Sequence, residues 1–139
     1  MKNCLLAFLL IFSVSVFAQN TEKENIKYIK ITQKKCIKKK GYHLVLKEVL
    51  SDSRCPEGVT CVWAGEVKVV VSLYQNWKFI EDKTITVSTN NNQENTDWFS
   101  NYLPSNQKKI KNLRVLPYPK DGSSINPKDY YIKIGYLKD

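Results

Sequence analysis

The stretch Ser51-Asp52-Ser53-Arg54-Cys55-Pro56-Glu57-Gly58-Val59-Thr60-Cys61-Val62-Trp63-Ala64-Gly65-Glu66 constrains this chain more than any other part of it. Pairing Cys55 with Cys61 closes a very short ring, for which chain entropy alone gives about 2.4 kcal/mol of stabilisation. Pro56 fixes its own φ and biases Cys55 toward an extended conformation, while Gly58 supplies the positive φ that a reversal needs. The stretch therefore reads as a structural clip at a strand-to-strand connection, with Trp63 packed on the bridge and Gly65 shaping the exit, as in sandwiches where a tryptophan covers a disulfide. The competing reading is a loop presented for recognition, with Asp52, Arg54, Pro56 and Glu57 as its contact residues.

An exporting leader fits the same chemistry. Met1-Lys2-Asn3 is a short positive start, Cys4 to Phe17 is apolar, and Val16-Phe17-Ala18 offers small residues where a signal peptidase reads. Residues 1–18 are expected to be a signal peptide and 19–139 a single domain. The apolar run is shorter than the roughly 20 residues of a membrane span, and Cys4 stands at its start, away from the cleavage point. The expectation is a periplasmic or extracellular protein without a transmembrane segment, in a compartment where disulfides persist. Cys36, Cys55 and Cys61 remain after cleavage, so one thiol is left over. Cys36 lies among Lys34, Lys35, Lys38, Lys39 and Lys40, whose ammonium groups favour a reactive thiolate if it is exposed; buried, it is inert. The sequence leaves both open.

Taken in order, the chain alternates in the manner of strands. Ile26 to Ile31 is β-branched and aromatic but broken by lysines, which suits an edge strand. Tyr42 to Leu50 alternates with Tyr42, Leu44, Leu46 and Glu48 on one side and His43, Val45, Lys47 and Val49 on the other. Val62 to Tyr74 is the longest β-rich run, with Val67, Val69, Val71 and Leu73 on one face, and is expected to be central. Trp77 to Val87 resumes in two pieces around Glu81-Asp82. Thr96-Asp97-Trp98-Phe99 reads either as a short helical turn capped by Thr96 or as a strand. Ile110 to Leu116 and Tyr130 to Leu137 complete the set, separated by Pro117-Tyr118-Pro119 and a turn cluster at Lys120-Asp121-Gly122. The count is about seven strands with no convincing helix, an all-β antiparallel sandwich or small barrel.

Ser51-Asp52-Ser53-Arg54-Cys55-Pro56, Cys61-Val62-Trp63-Ala64-Gly65, Leu116-Pro117-Tyr118-Pro119 and Asp129-Tyr130 together resemble segments of a group of small exported bacterial proteins, several of them lipoproteins. The likeness runs from about Tyr42 to Leu137. It implies the clip and the all-β fold and carries no activity with it. This chain differs in lacking a lipoprotein cleavage motif and in carrying Cys36.

Catalytic equipment is sparse. His43 is the single histidine and falls mid-strand, so serine- or cysteine-histidine chemistry would have to run through it. With Cys55 and Cys61 paired, zinc is short of ligands, and Asp52, Glu57 and Glu66 are the acids nearest to a calcium set. Phosphate-cradling glycine loops are absent, and the cysteine spacing is longer than that of a redox Cys-x-x-Cys. No catalytic residue, metal or cofactor is expected. The formal charge of +9 favours anionic partners, although scattered lysines also serve solubility. Two binding readings remain beside a purely structural one. In one, exposed aromatics among Trp77, Trp98, Tyr102, Tyr118, Tyr130 and Tyr131 form a carbohydrate- or envelope-binding face. In the other, Arg54-Cys55-Pro56-Glu57 enters a partner protein such as a protease that accepts arginine. The expected partner is an envelope protein or an anionic polysaccharide, not a specific nucleic acid.

Overall fold

A computed structural model describes residues 25–34, 40–89 and 92–137. Among the described residues there are six strands, β1 (Ile26–Ile31), β2 (Tyr42–Asp52), β3 (Glu66–Gln75), β4 (Lys78–Ser88), β5 (Ile110–Leu116) and β6 (Tyr131–Leu137), and one α-helix, α1 (Gln93–Tyr102). Two antiparallel three-stranded sheets, ordered β1-β6-β5 and β2-β3-β4, face each other. The all-β class follows the expectation, with six strands instead of about seven. The difference lies in β4, which runs unbroken through Glu81-Asp82 because both residues pair with β3, Glu81 opposite Leu73 and Asp82 opposite Ser72. Residues 1–18, where a signal peptide is expected, and Cys36 lie outside the described residues.

The core is built by period-two alternation on both sheets. Val67, Val69 and Val71 of β3 are fully buried and meet Leu46, Ile85 and Val87 from their own sheet and Ile31, Leu113, Val115, Ile132 and Ile134 from the other. Burial of this kind is worth roughly 1.5–3 kcal/mol per aliphatic side chain. Phe99 of α1 reaches the same core and is fully buried.

Two local features depart from the sequence reading. In β2 the register shifts between Leu46 and Glu48 and again between Val49 and Ser51. The first bulge sends Glu48 to the outer face opposite Val70 and turns Val49 inward, against the core, so simple alternation fails there. The second departure is α1, which begins at Gln93 after Asn92, not at Thr96. Asn92 and Asn95 have work besides starting a helix. The Asn92 amide accepts from Ser88 N and donates to Ser88 O, and Asn95 donates to Thr86 O, so the free edge of β4 is capped by side chains.

No helix among the described residues is long and apolar enough to cross a membrane.

Candidate recognition loop

Cys55 and Cys61 are joined, with an S–S distance of 2.18 Å and Cα atoms 5.9 Å apart. Below the ring the two strands of the connection are zipped together. Ser53 N donates to Glu66 O at 2.9 Å, Cys55 N donates to Ala64 O at 3.0 Å, and the Ser53 hydroxyl bonds both the N–H and the carbonyl of Glu66. Gly65 lies in this base at φ +71°, where a Cβ would stand 1.9 Å from the Ser53 carbonyl oxygen. Only glycine satisfies both the positive φ and the close approach. Within the ring, Val59 N donates to Pro56 O, and Gly58 turns at φ +90°.

Arg54 ties the base to the opposite sheet. Its Nε donates to Asp52 Oδ1 at 2.8 Å and its Nη2 to Asp52 Oδ2, a two-point pair. Nη1 donates to the carbonyl of Val115, and Nη2 also donates to that of Pro117, 3.0 Å away. The guanidinium lies over the Tyr118 ring at 4.8 Å, and Tyr130 donates its hydroxyl to Asp52 Oδ2 at 3.0 Å. Both members of the ion pair are buried, at 8% and 10% side-chain exposure. Burial pushes the Asp52 carboxyl up, but the hydrogen bonds and charge of Arg54, helped by Tyr130, outweigh it and hold the group below its ordinary value. Burial, then the bond to Asp52, pushes the Tyr130 phenol up. A further tie runs from Glu57 N to Pro119 O at 2.9 Å, and the Leu116–Pro117 peptide bond in this segment is cis.

The expected contact residues are therefore divided. Asp52 and Arg54 are consumed by a contact inside the molecule and are withdrawn from any free surface; Pro56 is half-buried and Glu57 exposed. The packing of Trp63 on the bridge is corrected outright. Its side chain is 81% exposed, and Val62 beside it is 92% exposed. The chain bends at Val62 and Trp63 and β3 begins only at Glu66, so neither side chain falls on the inward face of the strand. Val59 is the third exposed apolar residue of the loop. Beside the loop lies an open cleft of ≈ 620 Å³ whose lining includes Val87, Leu113 and Val115 along with Glu57, Arg114 and Tyr118.

The aromatic set does not gather into one face. Trp98 packs edge-on against Phe99 and Tyr102, Tyr102 meets Tyr42 in the same way, and Tyr130 is buried. Tyr118 and Tyr131 are each covered by a cation, Arg54 and Lys30 respectively. Trp77, 56% exposed, sits apart in the two-residue β3–β4 turn. Among the described residues no group of three or more His, Cys, Asp or Glu gathers as a metal ion requires, and Asp52, Glu57 and Glu66 do not converge. His43 lies in β2 opposite Tyr74. The exposed pair was missed from sequence because large apolar residues are ordinarily buried and because the β-rich run was read as starting at Val62, whereas β3 begins at Glu66. No family model, curated protein or solved structure matches the chain.

Proposed function

We propose that the protein is an exported, non-catalytic binding module whose recognition element is the tip of the stapled loop, with Trp63 and Val62 entering a pocket on a partner protein of the cell envelope or extracellular space. What carries the reading is the exposure of Val62 and Trp63, at 92% and 81%, on a loop whose base is held by a disulfide, a buried ion pair and backbone hydrogen bonds. Exposing an indole and a valine side by side forgoes burial energy, and holding them on a rigid base lowers the entropy lost on docking. Tryptophan is also among the residues that dominate protein interfaces. The coupled ionisable cluster Asp52–Arg54–Tyr130 has its donors and acceptors committed to holding the sheets together, which supports a scaffold role for it in place of turnover.

The test is a comparison of two exposed tryptophans. A partner captured from envelope extract on the immobilised domain is purified and its affinity measured against Trp63→Ala and Trp77→Ala. Loss of a hot-spot ring costs about 2 kcal/mol, or roughly thirtyfold. Trp63→Ala is expected to weaken binding by that order and Trp77→Ala to leave it within twofold. Equal affinities for the two variants contradict the reading.

A further inference from the structure

The charge of this protein is segregated by sheet. In β2, β3 and β4 acids and bases mix, and the ion pairs Lys47–Asp82, Lys68–Glu66 and Lys83–Glu94 all involve that sheet. In β1, β5 and β6 no residue is acidic, while Lys27, Lys30, Lys111, Arg114 and Lys133 are basic. The register concentrates this further. Lys30 pairs with Lys133 and Lys133 with Arg114, so three cations stand in one row straight across the sheet. Their neighbours in sequence, Ile29, Ile31, Ile132, Ile134, Leu113 and Val115, point into the core, so the row lies on the outer face.

Like charges directly opposite each other destabilise a sheet. Among the described residues no carboxylate forms an ion pair with any of the three. Two of the ammonium groups are instead parked on tyrosines of the same face, Lys133 at 4.1 Å from the Tyr28 ring and Lys30 at 4.7 Å from the Tyr131 ring. Such contacts are worth about 0.5–1 kcal/mol each at exposed sites and fix flexible side chains in place. The result is a preorganised cationic bar about two strand spacings long, roughly 10 Å.

We propose that the outer face of the β1-β6-β5 sheet binds an acidic polysaccharide, with Lys30, Lys133 and Arg114 contacting its successive anionic groups. A polyanion laid along the row relieves the mutual repulsion and leaves the spare donors of each cation free to bond it. Single-stranded nucleic acid is disfavoured because its recognition uses open aromatic platforms for the bases, and here both rings are covered by the protein's own lysines. A lipid surface is disfavoured because interfacial binding buries an apolar face beside the charge, and the centre of this face is lysine, arginine and tyrosine. The disulfide fits an oxidising compartment. Arg114, at one end of the row, also borders the cleft beside the stapled loop, but the proposal uses neither Val62 nor Trp63 and stands without the one made for them.

Binding of dextran sulfate and of polygalacturonate, with neutral dextran as blank, is measured by calorimetry at 150 mM salt. The variant Lys30→Ser/Arg114→Ser/Lys133→Ser is expected to lose at least tenfold in affinity. A control of equal net charge, Lys40→Ser/Lys78→Ser/Lys108→Ser, and the loop variant Trp63→Ala are expected to stay within twofold, with every variant cooperatively folded at the assay temperature. Equal loss in the two triple variants, absence of binding to both acidic polymers, or tighter binding of an oligo-dT strand or of phosphatidylglycerol vesicles would each overturn the proposal.

Discussion

Arg54 and Val115 are 61 residues apart in sequence, and Nη1 of the arginine donates to the valine carbonyl across the gap between the two sheets. The carbonyl belongs to β5, one of the two edge strands of its sheet. One side chain therefore covers an open edge, anchors the loop that follows β2 and neutralises Asp52.

Removing that side chain leaves a buried carboxylate without its partner. Arg54→Ala is expected to cost about 3–5 kcal/mol in urea unfolding. Adding Asp52→Asn to it should recover part of the loss, since the stranded charge goes. A double variant as unstable as the single one would show that the carbonyl contacts, not the charge, carry the effect.

The pH dependence follows from the same cluster. Asp52 is held below its ordinary value in the fold, so its contribution is complete above the unfolded value near 4 and is lost as pH falls through the folded one. Tyr130 is raised, so its contribution is complete below the unfolded value near 10 and is lost as pH rises through the folded one. Urea midpoints should therefore fall on both flanks. Tyr130→Phe should flatten the alkaline flank and Asp52→Asn the acid one.

Gly65 and Gly58 separate strain from collision. Both have positive φ, but a Cβ at Gly65 strikes backbone at 1.9 Å while one at Gly58 meets nothing within 4 Å. Gly58→Ala is expected to cost about 1 kcal/mol and Gly65→Ala about 2–4 kcal/mol, measured by thermal unfolding. Equal losses would mean that the base of the loop yields freely.

How much of this was legible in the sequence depends on whether the signal is local. The bridge followed from the spacing of Cys55 and Cys61, and the inward face of β3 from the alternation of Val67, Val69, Val71 and Leu73. Helix α1 was legible only as one of two readings of Thr96 to Phe99, because only Phe99 in it is buried and no apolar period of 3.6 marks it. The bulges of β2 answer to pairing with β3 and leave no mark of their own. The partners of Arg54 lie 61 and 63 residues away, and the row of Lys30, Lys133 and Arg114 exists only once three distant strands are in register. Nothing short-range encodes either.

Trp77 sits in the two-residue β3–β4 turn with φ +75°, after Asn76 at +47°. Asn-Gly is the preferred pair for a turn with positive φ at both positions, and a bulky residue there is strained. Trp77→Gly is expected to raise stability by about 1–2 kcal/mol in the same unfolding assay. A loss of stability would show that the indole contributes contacts exceeding its strain.

The central claim is that an exposed tip rides on an immobile base, and backbone nitrogen relaxation across residues 55–65 tests it most directly. The account predicts order parameters near 0.85 through the loop, including the amides of Val62 and Trp63, matching the strands that carry it. Values below about 0.6 at the tip with the bridge intact would contradict it.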